Sequence, residues 1–166
     1  MARGNARPAK RKTARATATR APGRRLDQSV LQGLVGYALR RAEVRMRQHF
    51  IRTLADWDIR PPEYSALALI ASNSFVTQAD LVESLNIKRP NMVGLIDQLE
   101  RRGLVERAVY QQDRRNQILS LTAKGEALLA DVDQLVRDLD RRITQCWTAR
   151  ERAQVVELLQ RFYQQD

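Results

Sequence analysis

The chain has 166 residues, enough for one domain or one domain with a tail, and 43% of them are hydrophobic, enough to bury a core. Its 29 Lys and Arg against 19 Asp and Glu give a net charge of +10, but residues 1–25 hold nine of the basic groups and no acid, leaving 20 basic against 19 acidic in the rest. The one cysteine, Cys146, excludes an intrachain disulfide and a cysteine zinc site and suits a reducing cytosol; no apolar run approaches the ~20 residues of a membrane span, and the N-terminus lacks the apolar core of a secretory signal.

Residues 1–25 (MARGNARPAKRKTARATATRAPGRR) have almost nothing to bury. Such a segment does not offset its ordering entropy and is expected to be disordered. It reads either as a flexible arm that contacts phosphates without reading sequence, or as a solubilising tail. It lacks the amphipathic apolar face of an organellar transit peptide.

Residues 26 to about 56 read as one long helix. Leu31, Leu34, Val35, Ala38, Ala42, Met46, Phe50 and Leu54 recur at three- and four-residue steps. At ~1.5 Å per residue such a helix is about 45 Å long, more than a small domain covers by itself, and a partner chain is the simplest cover. His49, the only histidine, has no second metal ligand near it, so a metal site is rejected. Pro61 and Pro62 restart the chain, and residues 63–72 make a short helix. Arg60 stands where a capping Ser or Thr is expected, so this start is weakly capped. Trp57 reads as core or as a cleft wall.

Residues 77–103 (TQADLVESLNIKRPNMVGLIDQLERRG) organise the rest. Thr77 with Asp80 forms a capping-box-like start. Leu81, Val82 and Leu85 give one apolar face, and Asn86 tolerates the left-handed turn that ends a helix. A second helix restarts near Arg89 with Pro90 in its first turn. Met92, Val93, Ile96 and Leu99 line its buried side, and Gly103 stops it. Two short helices joined this way make either a helical hairpin in a core or a helix-turn-helix DNA reader.

Residues 105–110 and 117–121 are two β-prone runs around a polar loop and read as a hairpin, with Asp113, Arg114 and Arg115 at its tip. A hairpin directly after a helix-turn-helix is a wing, and a wing-tip arginine suits the minor groove. Thr122 caps a helix running to about residue 147, striped with Leu128, Val132, Leu135, Leu139, Ile143 and Trp147. Thr148 and Glu151 form a capping box that opens a last helix. The chain has no phosphate-cradling glycine loop, no H-E-x-x-H and no nucleophile elbow, and paired acids such as Asp131 and Asp133 read as a solvated helix face, so catalysis is not expected.

The run from Asp113 to Gly125 (DRRNQILSLTAKG) fits D-x-R-x-x-x-L-x-L-T-x-x-G at each fixed position. With Thr77 to Leu81, Leu99 to Val105 and Pro61 to Tyr64, it makes residues 30–163 resemble the multiple-antibiotic-resistance regulator (MarR) family of bacterial winged helix-turn-helix proteins. The resemblance implies a mainly α fold with a small β wing, six helices, and a dimerisation region built from both chain ends. Residues 26–60 and 123–166 would dimerise, and 61–122 would form the DNA-binding lobe, with the basic tail outside. It implies a cytoplasmic, homodimeric repressor on a pseudo-palindromic DNA operator, released by a small, often aromatic and anionic ligand, with no cofactor. Carried over by position, DNA contacts fall on Lys88, Arg89, Asn91, Met92, Arg114 and Arg115, with Asp113 orienting Arg115. Candidate ligand walls, in a cleft between the first, Glu63 and Thr122 helices, are Tyr37, Arg41, His49 and Trp57. Asn86 stands where Gly is common. Cys146 lies far from the first helix, where peroxide-sensing relatives carry theirs, and is expected to be a small buried apolar side chain. The competing reading, favoured by the basic tail, is an architectural protein that coats DNA without an inducer.

Overall fold

The computed structural model describes residues 26–109 and 117–164. In chain order these form α1 (Ser29–Gln32), α2 (Val35–Thr53), a 3-10 turn (Ala55–Trp57), α3 (Pro61–Ser72), α4 (Gln78–Leu85), α5 (Arg89–Arg101), β1 (Val105–Val109), β2 (Gln117–Leu121), α6 (Ala123–Ile143) and α7 (Ala149–Tyr163). The basic tail, and the wing tip with Asp113, Arg114 and Arg115, lie outside the described residues. The chain divides into two compact units, Met1–Ala38 and Leu39–Asp166.

The expected single helix over residues 26–56 is interrupted twice. In the first unit α1 ends at Gly33. A glycine inside a helix costs about 1 kcal/mol relative to alanine, and α1 buries no residue that would offset it. This break makes seven α-helices among the described residues rather than six. In the second unit α2 stops at Thr53, and the 3-10 turn closes on Asp58 in the left-handed region (φ 48°). The bend brings both Leu54 and Ile59 into the core, at 1% and 4% exposure; a helix continued to residue 59 would not hold both there.

The core of the second unit joins Ala66, Leu67 and Ile70 of α3, Leu81 of α4, Met92, Ile96 and Leu99 of α5, Leu119 of β2 and Val132 of α6. Burying each large apolar side chain contributes about 1.5–3 kcal/mol. Local chemistry sets the element ends. Thr77 Oγ1 accepts from the Asp80 N–H at 3.3 Å, and Asp80 Oδ2 accepts from the Thr77 N–H at 2.7 Å, a complete capping box. Asn86 takes the left-handed conformation (φ 48°), letting the Ile87 N–H reach Val82 O at 3.3 Å. Strands β1 and β2 pair antiparallel, Val105 opposite Leu121. The chain just before α4 lies along the other edge of β2: Leu119 N–H donates to Val76 O at 2.7 Å and Thr77 bridges Ile118.

The start of α6 sits on the end of α5. Gly103, at φ 68°, ends α5 and leaves carbonyls without helical partners. Lys124 Nζ donates to Arg102 O at 2.8 Å, Thr122 Oγ1 donates to Gly103 O at 2.6 Å, and the Thr122 N–H donates to Leu104 O at 3.2 Å. The same Thr122 hydroxyl accepts from the Gly125 N–H at 3.1 Å. A Cβ on Gly125 would lie 2.0 Å from Leu104 O. Gly125→Ala is therefore expected to destabilise the fold by about 1–3 kcal/mol, the usual range for overpacking, read as a lower urea midpoint at unchanged slope.

Candidate nucleic-acid interface and effector groove

α5 is two-faced. Met92, Ile96 and Leu99 are fully buried at helical spacing, which fixes the roll of the helix. Lys88, its N-cap residue, and Arg89 and Asn91 in its first turn are exposed. No side chain caps this end and its first turn carries no acid, so the two cations, Lys88 and Arg89, and the positive end of the helix dipole make it attractive to anions. Met92 is a correction: at 0% exposure it belongs to the core and touches nothing outside. Val93 is the converse, expected on the buried side but 38% exposed. Gly94 beside it is exposed, with open space where a Cβ would stand. The sequence reading puts Met92 and Val93 together on the buried side, but a helix rotation of 100° per residue splits the pair between faces.

The far end of α5 is held rigidly. Arg107 on β1 bonds Glu100 at 2.8 Å and also Asp97. Arg102 Nη1 donates to Asp58 O at 2.8 Å, and its Nη2 donates to Trp57 O at 3.3 Å. The weakly capped start of α3 is repaired here. A guanidinium has no acceptor for a capping role, but Glu63 Oε2, 4.0 Å from Arg102 Nη1, accepts from the Arg60 N–H at 2.8 Å.

A groove of about 270 Å³ runs between α2, α3 and α6, walled by Met46, Phe50, Pro61, Leu139 and Ile143, with Glu43, Arg47 and Asp140 among its polar lining. Arg41, His49 and Trp57 are not among its walls. His49 stands near Arg45, Arg52 and Arg142; desolvation and then these cations hold its pKa below the ordinary value. Arg41 is exposed on α2. Trp57 packs against the core. Tyr37, in the first unit, donates its hydroxyl to Gln28 Oε1 at 2.6 Å. The face that α2 gives to the groove is instead that of Met46 and Phe50.

A wider cleft of about 690 Å³ adjoins the groove, sharing Val136 and Asp140 and including Tyr64, Arg137 and Trp147. At its wall Asp133 accepts from Tyr64 OH at 2.8 Å and from Arg137 Nε at 2.7 Å. Asp133 is thus an anchor between α3 and α6 rather than part of a solvated face. The Arg137 bond, then the Tyr64 bond, holds its carboxyl below the usual range. Burial, then Asp133, pushes the Tyr64 hydroxyl up to about 12. Cys146, expected buried, is exposed between α6 and α7 because α6 ends at Ile143. Among the described residues no cluster of His, Cys, Asp and Glu could hold a metal ion.

Two short helices with an outward-facing cationic start, followed at once by an antiparallel hairpin, define a winged helix-turn-helix protein. The sequence pattern of the MarR family matches residues 57–116. A Thauera aromatica protein described as a transcriptional regulatory protein for the hcr operon is 31% identical over 137 residues, 82% of each chain. The solved structure of the transcriptional repressor CouR bound to a 23-mer DNA duplex is 34% identical, covers 85% of this chain and 100% of its own, and superposes with a TM-score of 0.80. CouR bound to p-coumaroyl-CoA is 32% identical over 86% of this chain and 100% of its own, with a TM-score of 0.78. The chain belongs to the MarR family.

The Tyr64–Asp133–Arg137 anchor has a definite pH signature. Asp133 titrates below its ordinary value when folded, so its contribution is complete above the unfolded value near 3.9 and is lost as pH falls further. Tyr64 is the mirror case: its contribution is complete below about 10 and is lost as pH rises towards about 12. Asp133→Asn should lower the urea midpoint at pH 7, and the gap to the parent chain should narrow below about pH 4; a gap independent of pH would show that the carboxylate is not the stabilising species.

Proposed function

We propose that this chain is a homodimeric repressor that binds a pseudo-palindromic operator in the bacterial cytoplasm and is released by a small aromatic, anionic effector. The observation that carries the reading is the outward face of α5, where Lys88, Arg89, Asn91, Val93 and Gly94 are exposed on a helix clamped from behind. Arg bidentate to guanine and Asn to adenine are the favoured base contacts, and Val93 suits a thymine methyl. Arg114 and Arg115, with Asp113 as orienting partner, would extend the contact from the wing into the minor groove. The likeness to DNA-bound CouR supports the same docking.

Homodimerisation is supported by uncovered apolar faces in each unit. In the first, Leu26, Val30, Leu34 and Val35 are more than half exposed. In the second, α7 buries no residue and leaves Val156, Leu158, Leu159, Phe162 and Tyr163 exposed. A second copy would cover faces of this size, and two readers ~34 Å apart would meet successive major grooves. The groove between α2, α3 and α6 suits an aromatic ring, and p-coumaroyl-CoA, the molecule bound to CouR, is the natural first probe. If it and simple aromatic acids neither bind nor weaken the DNA complex, the effector half of the reading falls.

The competing architectural reading rests on the basic tail. Selection of duplexes from a random library, followed by footprinting, separates the two. A regulator enriches and protects one short palindrome; a coat protein enriches nothing and gives broad, salt-sensitive coverage. Removal of residues 1–25 should lower non-specific affinity and flatten the salt dependence while leaving the protected site in place.

Gly94 supplies a sharper check on which face meets DNA. Nothing inside the fold requires a glycine there. Gly94→Ala should raise stability by about 1 kcal/mol through helix propensity, yet lower affinity for the selected duplex, because the backbone there approaches the groove closely. Gains in both thermal midpoint and affinity would place this face away from DNA.

A further inference from the structure

The reader and the groove are separate places, and one side chain stands between them. Arg102 belongs to the end of α5, where it is the C-cap residue. Its guanidinium leaves α5 altogether and grips the linker between α2 and α3, bonding the carbonyls of Trp57 and Asp58 at 3.3 and 2.8 Å. Those carbonyls belong to the turn that Asp58 closes in the left-handed region, a conformation that costs energy for any residue but glycine. Four residues after Trp57 comes Pro61, the first residue of α3 and a wall of the groove. Glu63, 3% exposed, completes the unit by holding the Arg60 N–H while lying 4.0 Å from Arg102. The main chain of Arg102 is fixed as well, its carbonyl taking the Lys124 ammonium of α6.

We propose that Arg102 is the positioning residue that couples the groove to the recognition helix: an occupant bearing on Phe50 and Pro61 displaces the 57–63 linker, and Arg102 carries that displacement into α5. The inference rests on the reading of the groove as effector site and of α5 as DNA reader. Its geometry is specific to arginine. One planar fork reaches two successive carbonyls, and a lysine ammonium at the same place would be a single point donor on a shorter reach. The charge also balances the buried Glu63 carboxylate, which would otherwise lie in the core edge without a cation. Arg102 is the hydrogen-bonded bridge from this linker to α5, so its loss should remove the coupling that the linker carries while leaving each site able to work.

The experiment is a double-mutant cycle on the full-length protein, which needs no effector. Met46 lines the groove and is 45% exposed, so Met46→Trp wedges it open with added apolar bulk. Affinity for a fluorescent duplex, selected from a random library by the parent protein, is measured for the parent, Met46→Trp, Arg102→Lys and the double variant, each with its melting temperature. Met46→Trp alone is expected to weaken the duplex at least ~5-fold, the lower end of ordinary site-to-site coupling. In the Arg102→Lys background the same wedge should cost less than about twofold, the scatter of independent sites. Equal losses in both backgrounds overturn the inference. If Arg102→Lys does not fold, hydrogen exchange on Met46→Trp alone decides: exchange rates must change together at residues 57–63 and 99–104, and a change confined to the linker overturns it. A parallel titration with p-coumaroyl-CoA keeps the underlying reading separate. Binding that weakens the duplex in the parent but not in Arg102→Lys supports both. No release of the parent by the thioester counts against the effector reading, while additive losses in the cycle count against Arg102.

Discussion

Three carbonyls at the end of α5 decide where the recognition helix sits. Those of Arg102, Gly103 and Leu104 follow the last residue of α5 and need donors. α6 supplies all three from its first residues, with a lysine ammonium, a threonine hydroxyl and a backbone N–H. An ordinary hydrogen bond adds about 0.5–1.5 kcal/mol, and a charged donor more. The larger effect is geometric. The threonine that caps α6 is the one that closes α5, so neither helix can shift without breaking the other's end. Gly125 shows how close the approach is, since its missing Cβ leaves room only for Leu104 O.

From that junction the polarity of α5 follows. Its C-terminal half is tied to α6 by the carbonyls, to β1 by Arg107 and to the α2–α3 linker by Arg102. Its N-terminal turn is tied by none of these and presents the cations Lys88 and Arg89. A reader has to be held firmly at one end and left accessible at the other, and the distribution of bonds along α5 meets both needs. The groove lies on the held side, walled partly by Pro61, which begins the helix after the linker that Arg102 grips. Contact between effector and DNA is not required for one to influence the other; a shared rigid connection is enough.

The apolar surface tells a parallel story. Among the described residues each unit leaves an apolar face uncovered, on residues 26–35 in one and on α7 in the other. An isolated chain with such faces would associate. The homodimer proposed above would cover such faces with a second copy.

Features that depend on a few neighbouring residues were legible in the chain as written. Thr77 with Asp80, Asn86 in its left-handed turn, Gly103, Thr122, and Thr148 with Glu151 all act through contacts within about one helical turn, and all stand as read. The strand pair was legible for the same reason, because two alternating runs flank one polar loop. What misled were positions whose fate depends on distant partners. Met92 and Val93 are both apolar, and only the packing of α5 on the core decides that one is buried and the other faces out. The stripe over residues 26–56 reads as one helix, but burying Leu54 and Ile59 together forces a turn that periodicity does not show. The expected groove walls Tyr37, Arg41, His49 and Trp57 differ from the mostly aliphatic lining that the fold assembles, and the grip of Arg102 on the Trp57 and Asp58 carbonyls joins residues 45 and 44 positions apart. By itself, then, the sequence determined the caps and the succession of elements from α3 to α7, because those are short-range. The direction each side chain faces, and which helices share a groove, were decided only by tertiary structure, since burial is a property of the surfaces that meet rather than of the residues that carry them.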